Sequence, residues 1–310
     1  MDLRFQKARQ YETAPLGKQV LLQRLDGLHK IPTIPAVLAP LLRYLQQPVD
    51  QLDVQEVTDF LSQGESLAGQ CLQIANSPVF GSGQWQKMES LRGAVVSLGL
   101  HRISDIAMSC GVLNLLPEAK TSLDPVVFWE HSLGCALVCR RLARKIGFCD
   151  PGKAYLAGLL HDLGNIVNLW VLPREFGMAF EIARADGVPL HEAEQDSLGF
   201  THCDSGHLLA ESWGLPPDVI EVVTSHHSPE LSQEAGLVAL VHIAGLLCRM
   251  SGLNYGYVEQ RQVNFPEDTC FSVLAQNSAS VKNFDWARLT FELDFYMDEV
   301  HSLVRAIYRS

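Results

Sequence analysis

No CxxC pair occurs among the eight cysteines of this 310-residue chain, which are scattered at positions 71, 110, 135, 139, 149, 203, 248 and 270. That spacing excludes the usual zinc-ribbon and dithiol redox frameworks. Thiols inside apolar periodic segments read as small buried hydrophobes in a reducing compartment, and Cys135 and Cys139, which share a helix face, fall under the same reading. A membrane span is also missing. The longest apolar stretch, GLVALVHIAGLLC at 236–248, contains a histidine and falls well short of the ~20 residues a bilayer requires. The amino end, MDLRFQKARQYET, has no apolar h-region of the kind a secretory signal needs, so a cytoplasmic location and no membrane partner are expected. Positive charge is scarce: 24 basic residues face 35 acidic ones, a formal net charge of -11. Such a balance disfavours a large nonspecific grip on phosphate backbones while leaving room for a local basic pocket, so nucleic acid is not an expected partner. Alternating strand-like runs are nearly absent, as are internal repeats and low-complexity tracts.

What is present is helical spacing, and a chain of this length is expected to form two lobes, each with its own core. Leu67, Cys71, Ile74 and Ala75 make one stripe, stopped by NSP at 76–78. Leu91, Ala94, Val95 and Leu98 make a second after Ser90, broken at Gly99, and Ile103, Ile106, Ala107 and Cys110 a third. KIPTIPAV, with Pro32 and Pro35, reads as an extended lead into a helix ending near Tyr44. LPEAKTSLDP at 116–125 supplies a polar, proline-bearing connection. Beyond it helices are expected near 126–146, 152–170, 173–186, 190–213, 216–226 and 235–251, then a loop over 254–269. A last helix carries Leu289, Leu293, Met297, Val300, Val304 and Ile307 on one side, a docking stripe against the body. The expected division is a segment at 1–20, an amino-terminal lobe at 21–118, a second lobe at 119–253, and a loop with docking helix at 254–310. The stretch 93–110 has the rhythm of a DNA-binding helix-turn-helix. After Arg102, however, it offers chiefly Ile, Ala, Met and Cys rather than side chains that read base edges, so it is expected to be a buried corner.

The second lobe places polar groups where apolar ones would pack without cost. In YLAGLLHDLGNIVNLW, at 155–170, His161 and Asp162 stand side by side in an apolar run. Buried without partners they would cost on the order of 1 to 3 kcal/mol each, so a metal, a hydrogen-bond network or a ligand must satisfy them. His131, His202, the pair His226 and His227, and His242 lie tens of residues away, and such groups converge only in a bundle, projecting inward from facing helices. Imidazole with carboxylate suits iron, manganese, nickel or zinc. His191 and His207 read as surface or capping residues.

The set His131, His161-Asp162, His202 and His226-His227 resembles the HD superfamily of metal-dependent phosphohydrolases, especially its cyclic-dinucleotide phosphodiesterase branch. More of the chain is similar to the HDOD (HD-related output domain) family: IPTIPAVLAPLL, LQIANSPVFG, MESLRGAVVSLGLHRISDIA, YLAGLLHDLGN, THCDSGHLLAESWGLP and HHSP follow in that order, over about residues 20–250. The resemblance implies an all-α fold, a multi-helix bundle in which an amino-terminal helical lobe packs on an HD-like helical lobe. It also implies a bacterial signalling module. Three departures from the catalytic HD pattern bear on activity. Its final Asp falls on Gly245, with no acidic residue anywhere from Gly236 to Val258; its Lys after His-Asp-x-Gly is Asn165; and SPELSQEAG follows His226-His227 in place of the HHExxDGxGYP signature. His242, one turn from Gly245, lies roughly 5 Å along the axis, too far to replace the Asp without a new geometry.

The expectation is therefore a regulatory module that binds a signalling protein or a small nucleotide-like ligand and does not catalyse. The alternatives are a metal-dependent phosphohydrolase acting on cyclic dinucleotides or nucleotides, and a nucleotide sensor without hydrolysis. No cofactor is expected beyond, at most, one of the four metals named above, its ligands His131, His161, Asp162, His202, His226 and His227, with His242 and Asn165 in support. Without a metal, Asp162 should be ionised and bonded to the histidines.

Overall fold

The computed structural model describes residues 15–27, 55, 58–59, 61, 65–77, 80, 87–112, 115–116, 121–260 and 268–308. Among them every regular element is helical. The proline-led helix expected before Tyr44 lies outside the described residues, as do the side chains of Leu67 and Ile307. In chain order the helices are α1 (Lys18–Gly27), α2 (Glu65–Ala75), α3 (Leu91–Leu98), α4 (Leu100–Val112), α5 (Pro125–Ile146), α6 (Pro151–Leu160), α7 (Leu163–Val171), α8 (Pro173–Asp186), α9 (Leu190–Leu198), α10 (His202–Ser212), α11 (Pro217–Ser225), α12 (Ala235–Met250), α13 (Thr269–Asn277) and α14 (Trp286–Tyr308). No helix among the described residues is long and apolar enough to cross a membrane.

Local chemistry sets the long central helix. Asp124 caps α5 by accepting from the Val126 N–H, Pro125 occupies its first turn, and Gly147 ends it in the left-handed conformation at φ 59°. Asp150 and Pro151 start α6 in the same way. The antiparallel pair α5 and α6 is the spine, with α12 and α14 laid along α5 and α11 against α6. In the amino-terminal lobe α2, α3 and α4 pack together, and α4 meets α6. The former DNA-binding suspect, α4, is buried from Ile103 to Val112, so it is a corner of the core as the sequence predicts. Tyr155 Oη and Ser109 Oγ hydrogen-bond at 2.7 Å across the two lobes, beside an ion pair between Asp105 and Arg140. Trp129, Tyr155, Phe176 and Phe200 are almost wholly removed from water, each stabilising the fold by roughly 2 to 3 kcal/mol relative to exposure.

Two expected helices are each two. The run 152–170 breaks at His161 and Asp162, because α7 must start against the start of α10: a Cβ on Gly164 would lie 1.7 Å from the His202 carbonyl oxygen. The run 190–213 breaks at Gly199, left-handed at φ 77°. Thr201 and Asp204 then form a capping box that begins α10 at His202. Helix α13, inside the expected loop-and-docking segment, is an element the spacing did not reveal. The docking stripe itself is as expected: Leu289, Leu293, Met297, Val300 and Val304 are buried and α14 packs on α5. All eight cysteines are unpaired, and all but Cys149 are buried.

Candidate metal centre

The breaks in the two long runs bring the polar groups together. His131 comes from the middle of α5, His161 and Asp162 from the corner between α6 and α7, His202 from the first turn of α10, and His226 and His227 from the end of α11. Asp162, 3% exposed, sits at the middle. Its Oδ2 lies 3.0 Å from His161 Nε2 and 3.6 Å from His131 Nε2, and its Oδ1 lies 3.3 Å from His202 Nε2 and 3.4 Å from His226 Nε2. His227 Nε2 approaches His202 Nε2 at 3.0 Å.

The opposite nitrogen of each ring fixes its tautomer. Nδ1 of His131 donates to the Leu253 carbonyl oxygen at 2.7 Å, that of His161 to Gly158 at 2.8 Å, and that of His226 to Val222 at 3.2 Å. His202 Nδ1 donates to Glu194 Oε2 at 2.6 Å. A carbonyl oxygen only accepts, so Nδ1 carries the hydrogen and a neutral ring turns its Nε2 lone pair toward Asp162. Four such lone pairs and a carboxylate facing one another call for cations between them, either protons or a metal ion.

The donor set fits a metal. With bonds of about 2.1 Å, neighbouring ligand atoms lie about 3.0 Å apart in octahedral and about 3.4 Å in tetrahedral geometry, close to the spacings around Asp162. Among the described residues three overlapping groups could hold an ion, namely His161, Asp162 and His226; His131, Cys135 and His161; and His202, Cys203, His226 and His227; a separate one is His242, Asp268 and Cys270. Asn165, fully buried next to the centre in sequence, leaves both side-chain polar atoms without a partner, as expected of an amide awaiting a further ligand.

The metal-free charges are uneven. Burial and the neighbouring His161 push His131 down to about 3, against the pull of Asp162. Burial and His226 hold His227 well below the usual imidazole range. For His226 burial opposes the charge, but Cys203 and Asp162 outweigh it and raise the pKa to about 9. His202 is raised well above its ordinary value, Glu194 and Cys203 overcoming burial. Asp162 is held well below the carboxylate range despite burial, chiefly by His161, with His202 and His226. Without metal, two protonated imidazoles therefore flank an ionised carboxylate.

Several of these groups escaped the sequence reading. Glu194, fully buried, accepts from the His202 backbone N–H at 2.9 Å as well as from its ring, and from Asn168 Nδ2 at 3.0 Å; Asn168 in turn accepts from Ser205. His191, expected at the surface, stacks on His227 with ring centroids 3.8 Å apart. It was misplaced because only the turn at Gly199 points its helix inward. Cys203, expected to be a small buried hydrophobe, lies 3.8 Å from His226 Nδ1. His242 is turned elsewhere: Nδ1 donates to the His226 carbonyl oxygen at 2.8 Å and Nε2 lies 3.8 Å from Asp268. Asp268 is a carboxylate from beyond the 236–258 window, delivered as the cap of α13. His207 is peripheral, 3.1 Å from Thr224 and 3.5 Å from Glu211. At Gly245 a Cβ would lie 3.3 Å from Arg249 Nη1, so a guanidinium stands beside the place of the missing carboxylate.

Comparison with known proteins identifies the family and the fold. The HDOD domain profile matches residues 31–229. A solved HDOD domain protein with unknown function from Geobacter sulfurreducens is similar at 26% identity and a TM-score of 0.80, over 93% of this chain and 97% of that one. An uncharacterized protein from Treponema pallidum is 26% identical over 229 residues, 72% of this chain and 43% of its own length. Ribonuclease Y from Geobacter metallireducens is 29% identical over 156 residues, 50% of this chain and 23% of its own. The chain thus spans less than half the length of these curated relatives.

Proposed function

This chain belongs to the HDOD domain family, and on that premise we propose that it is a cytoplasmic signalling module that acts on a protein partner by binding, without phosphodiester hydrolysis. Its histidine centre holds one divalent transition metal as an internal brace. The observation that supports the reading is the absence of a ligand at Gly245, the position where the family resemblance puts a ligating Asp. Asp162 is the one carboxylate among the described residues within 4 Å of the converging Nε2 atoms, while Glu194 is turned to the outer nitrogen of His202. Gly245 offers no ligand, and Arg249 Nη1 lies 3.3 Å from where a Cβ at that position would be. A hydrolytic centre needs an ion with an open position for water and a complete set of protein ligands around it. Arg249, which pairs with Glu259 at 3.3 Å, has no lone pair to offer in place of that Asp. In the brace, His131, His161, His202, His226 and Asp162 would hold the ion, which when bound ties the ends of α6, α10 and α11 to α5.

The test is metal analysis of the purified protein together with hydrolysis assays on cyclic dinucleotides and nucleotides with added manganese or iron. The expected result is bound metal with no enzyme-like turnover. Turnover abolished by His161→Ala with Asp162→Ala would overturn the reading. Two observations favour a second reading as a metal-dependent phosphohydrolase: the unpartnered Asn165 amide and the similarity to ribonuclease Y over half of this chain. The same assay decides between them.

A further inference from the structure

Positive charge, scarce in the chain as a whole, is concentrated in one cleft. Between α4, α5 and α14 lies a cavity of about 260 Å³ lined by Arg102, Arg140, Arg141, Arg144 and Lys145. Two carboxylates face these five cations. Asp105 is paired with Arg140, whose guanidinium also lies over the Phe80 and Tyr155 rings, which makes that pair part of the core. Glu292 is shared between Arg141, Lys145 and Arg288.

The others are left with unused donors. Arg144 is exposed and makes no hydrogen bond or ion pair among the described residues. Arg141 spends its Nη groups on Tyr296 Oη at 2.6 Å and on Glu292, and its buried Nε has no partner among the described residues. Arg102 donates from Nη1 to a neutral acceptor, the Phe80 carbonyl oxygen, at 3.1 Å. Burial first, and then the neighbouring Arg140 and Arg144, lower its pKa, while Asp105 pulls the other way. The remaining wall is apolar, with Leu293, Met297 and Val300, and Tyr296 lies under the Arg141 guanidinium at 4.6 Å.

Guanidinium forks above an apolar floor match an organic phosphate: the forks take phosphate oxygens in pairs and the floor takes the remainder of the molecule. We propose that this cleft is a binding site for a small phosphorylated ligand of about mononucleotide size, its phosphate held by Arg102 and Arg144 and its organic part laid against α14. The site is distinct from the histidine centre: its α5 residues lie roughly 10 to 20 Å farther along that helix than His131. The ligand touches both lobes and the carboxyl-terminal helix at once, so binding it locks α14 and α4 onto α5.

The test is calorimetric titration of the full chain with AMP, GMP, CMP, UMP, glucose 6-phosphate and inorganic phosphate, with and without chelator. The expected result is 1:1 binding of at least one organic phosphate, tighter than inorganic phosphate, weakened by salt and unaffected by chelator. Arg144→Glu, a change at an exposed and unpartnered side chain, should weaken it roughly tenfold or more, and Arg102→Gln should do likewise. Absence of binding across the panel overturns the proposal. So does binding that survives Arg144→Glu but disappears with chelator, which would place the ligand at the histidine centre and leave the cleft without one.

Discussion

Around Asp162 nearly every polar atom is buried and oriented by a partner behind it, whereas along α5, beneath α14, guanidinium groups crowd an open cleft with donors to spare. Both places gather like groups that repel. At the histidine centre the repulsion is between lone pairs, and the cure is a small cation inside the fold. At the arginine cleft it is between positive charges, and the cure is an anion from solution. A buried centre must be satisfied for the chain to fold, so its removal is read in stability; an open one can wait for its ligand, so its removal is read in binding.

That contrast can be broken most sharply at Asp162. Asp162→Ala leaves the inward histidines without their carboxylate, with an expected loss on the order of 3 to 5 kcal/mol by chemical denaturation. A loss below 1 kcal/mol would mean that the centre is not the brace described. Next in size, a strong chelator should lower Tm by roughly 4 °C, and the same metal should restore it, as for a ligand present at about a hundred times its Kd. An unchanged Tm would leave protonated His202 and His226 as the internal cations.

A smaller effect is expected at the rim of the cleft. Burial raises Asp105 to about 7 from 3.8, although Arg140 opposes the shift. The folded protein therefore keeps this proton to higher pH than the unfolded chain does. The stability it contributes is complete below about pH 4 and is lost as pH rises through about 7. Unfolding measured across that window should show a downward slope that is shallower in Asp105→Asn; identical slopes would contradict the shift. Smallest of all, Arg144→Glu should change stability by less than about 0.5 kcal/mol, against its large expected effect on phosphate binding. A substantial destabilisation would mean that Arg144 is structural.

The two regions also differ in how far they can be read from the sequence. Helical spacing carries the all-α class, and the buried stripe of α14 follows from Leu289 to Val304. The His161-Asp162 pair is conspicuous because polar groups interrupt an apolar run. Glu194 is not, since a glutamate between polar neighbours on a nine-residue amphipathic helix looks solvated. Its burial follows from the turn at Gly199, which folds α9 back onto α10 and sets Glu194 behind His202. His191 was hidden for the same reason. The cleft was hidden more deeply: Arg140, Arg141, Arg144 and Lys145 read as the polar face of a helix until α14, more than a hundred residues later, closes over them.

The outer hydrogen bonds of the imidazoles have a consequence for how such a protein changes over generations. Three of the four rings around Asp162 are aimed by main-chain carbonyl oxygens, those of Leu253, Gly158 and Val222, which no side-chain substitution deletes. Glu194, behind His202, is the exception. A substitution can therefore change a reactive group while the backbone goes on presenting the same rings at the same angles. The geometry of a metal site can in this way outlast its chemistry and persist as a heritable scaffold, free to acquire a different use without being rebuilt.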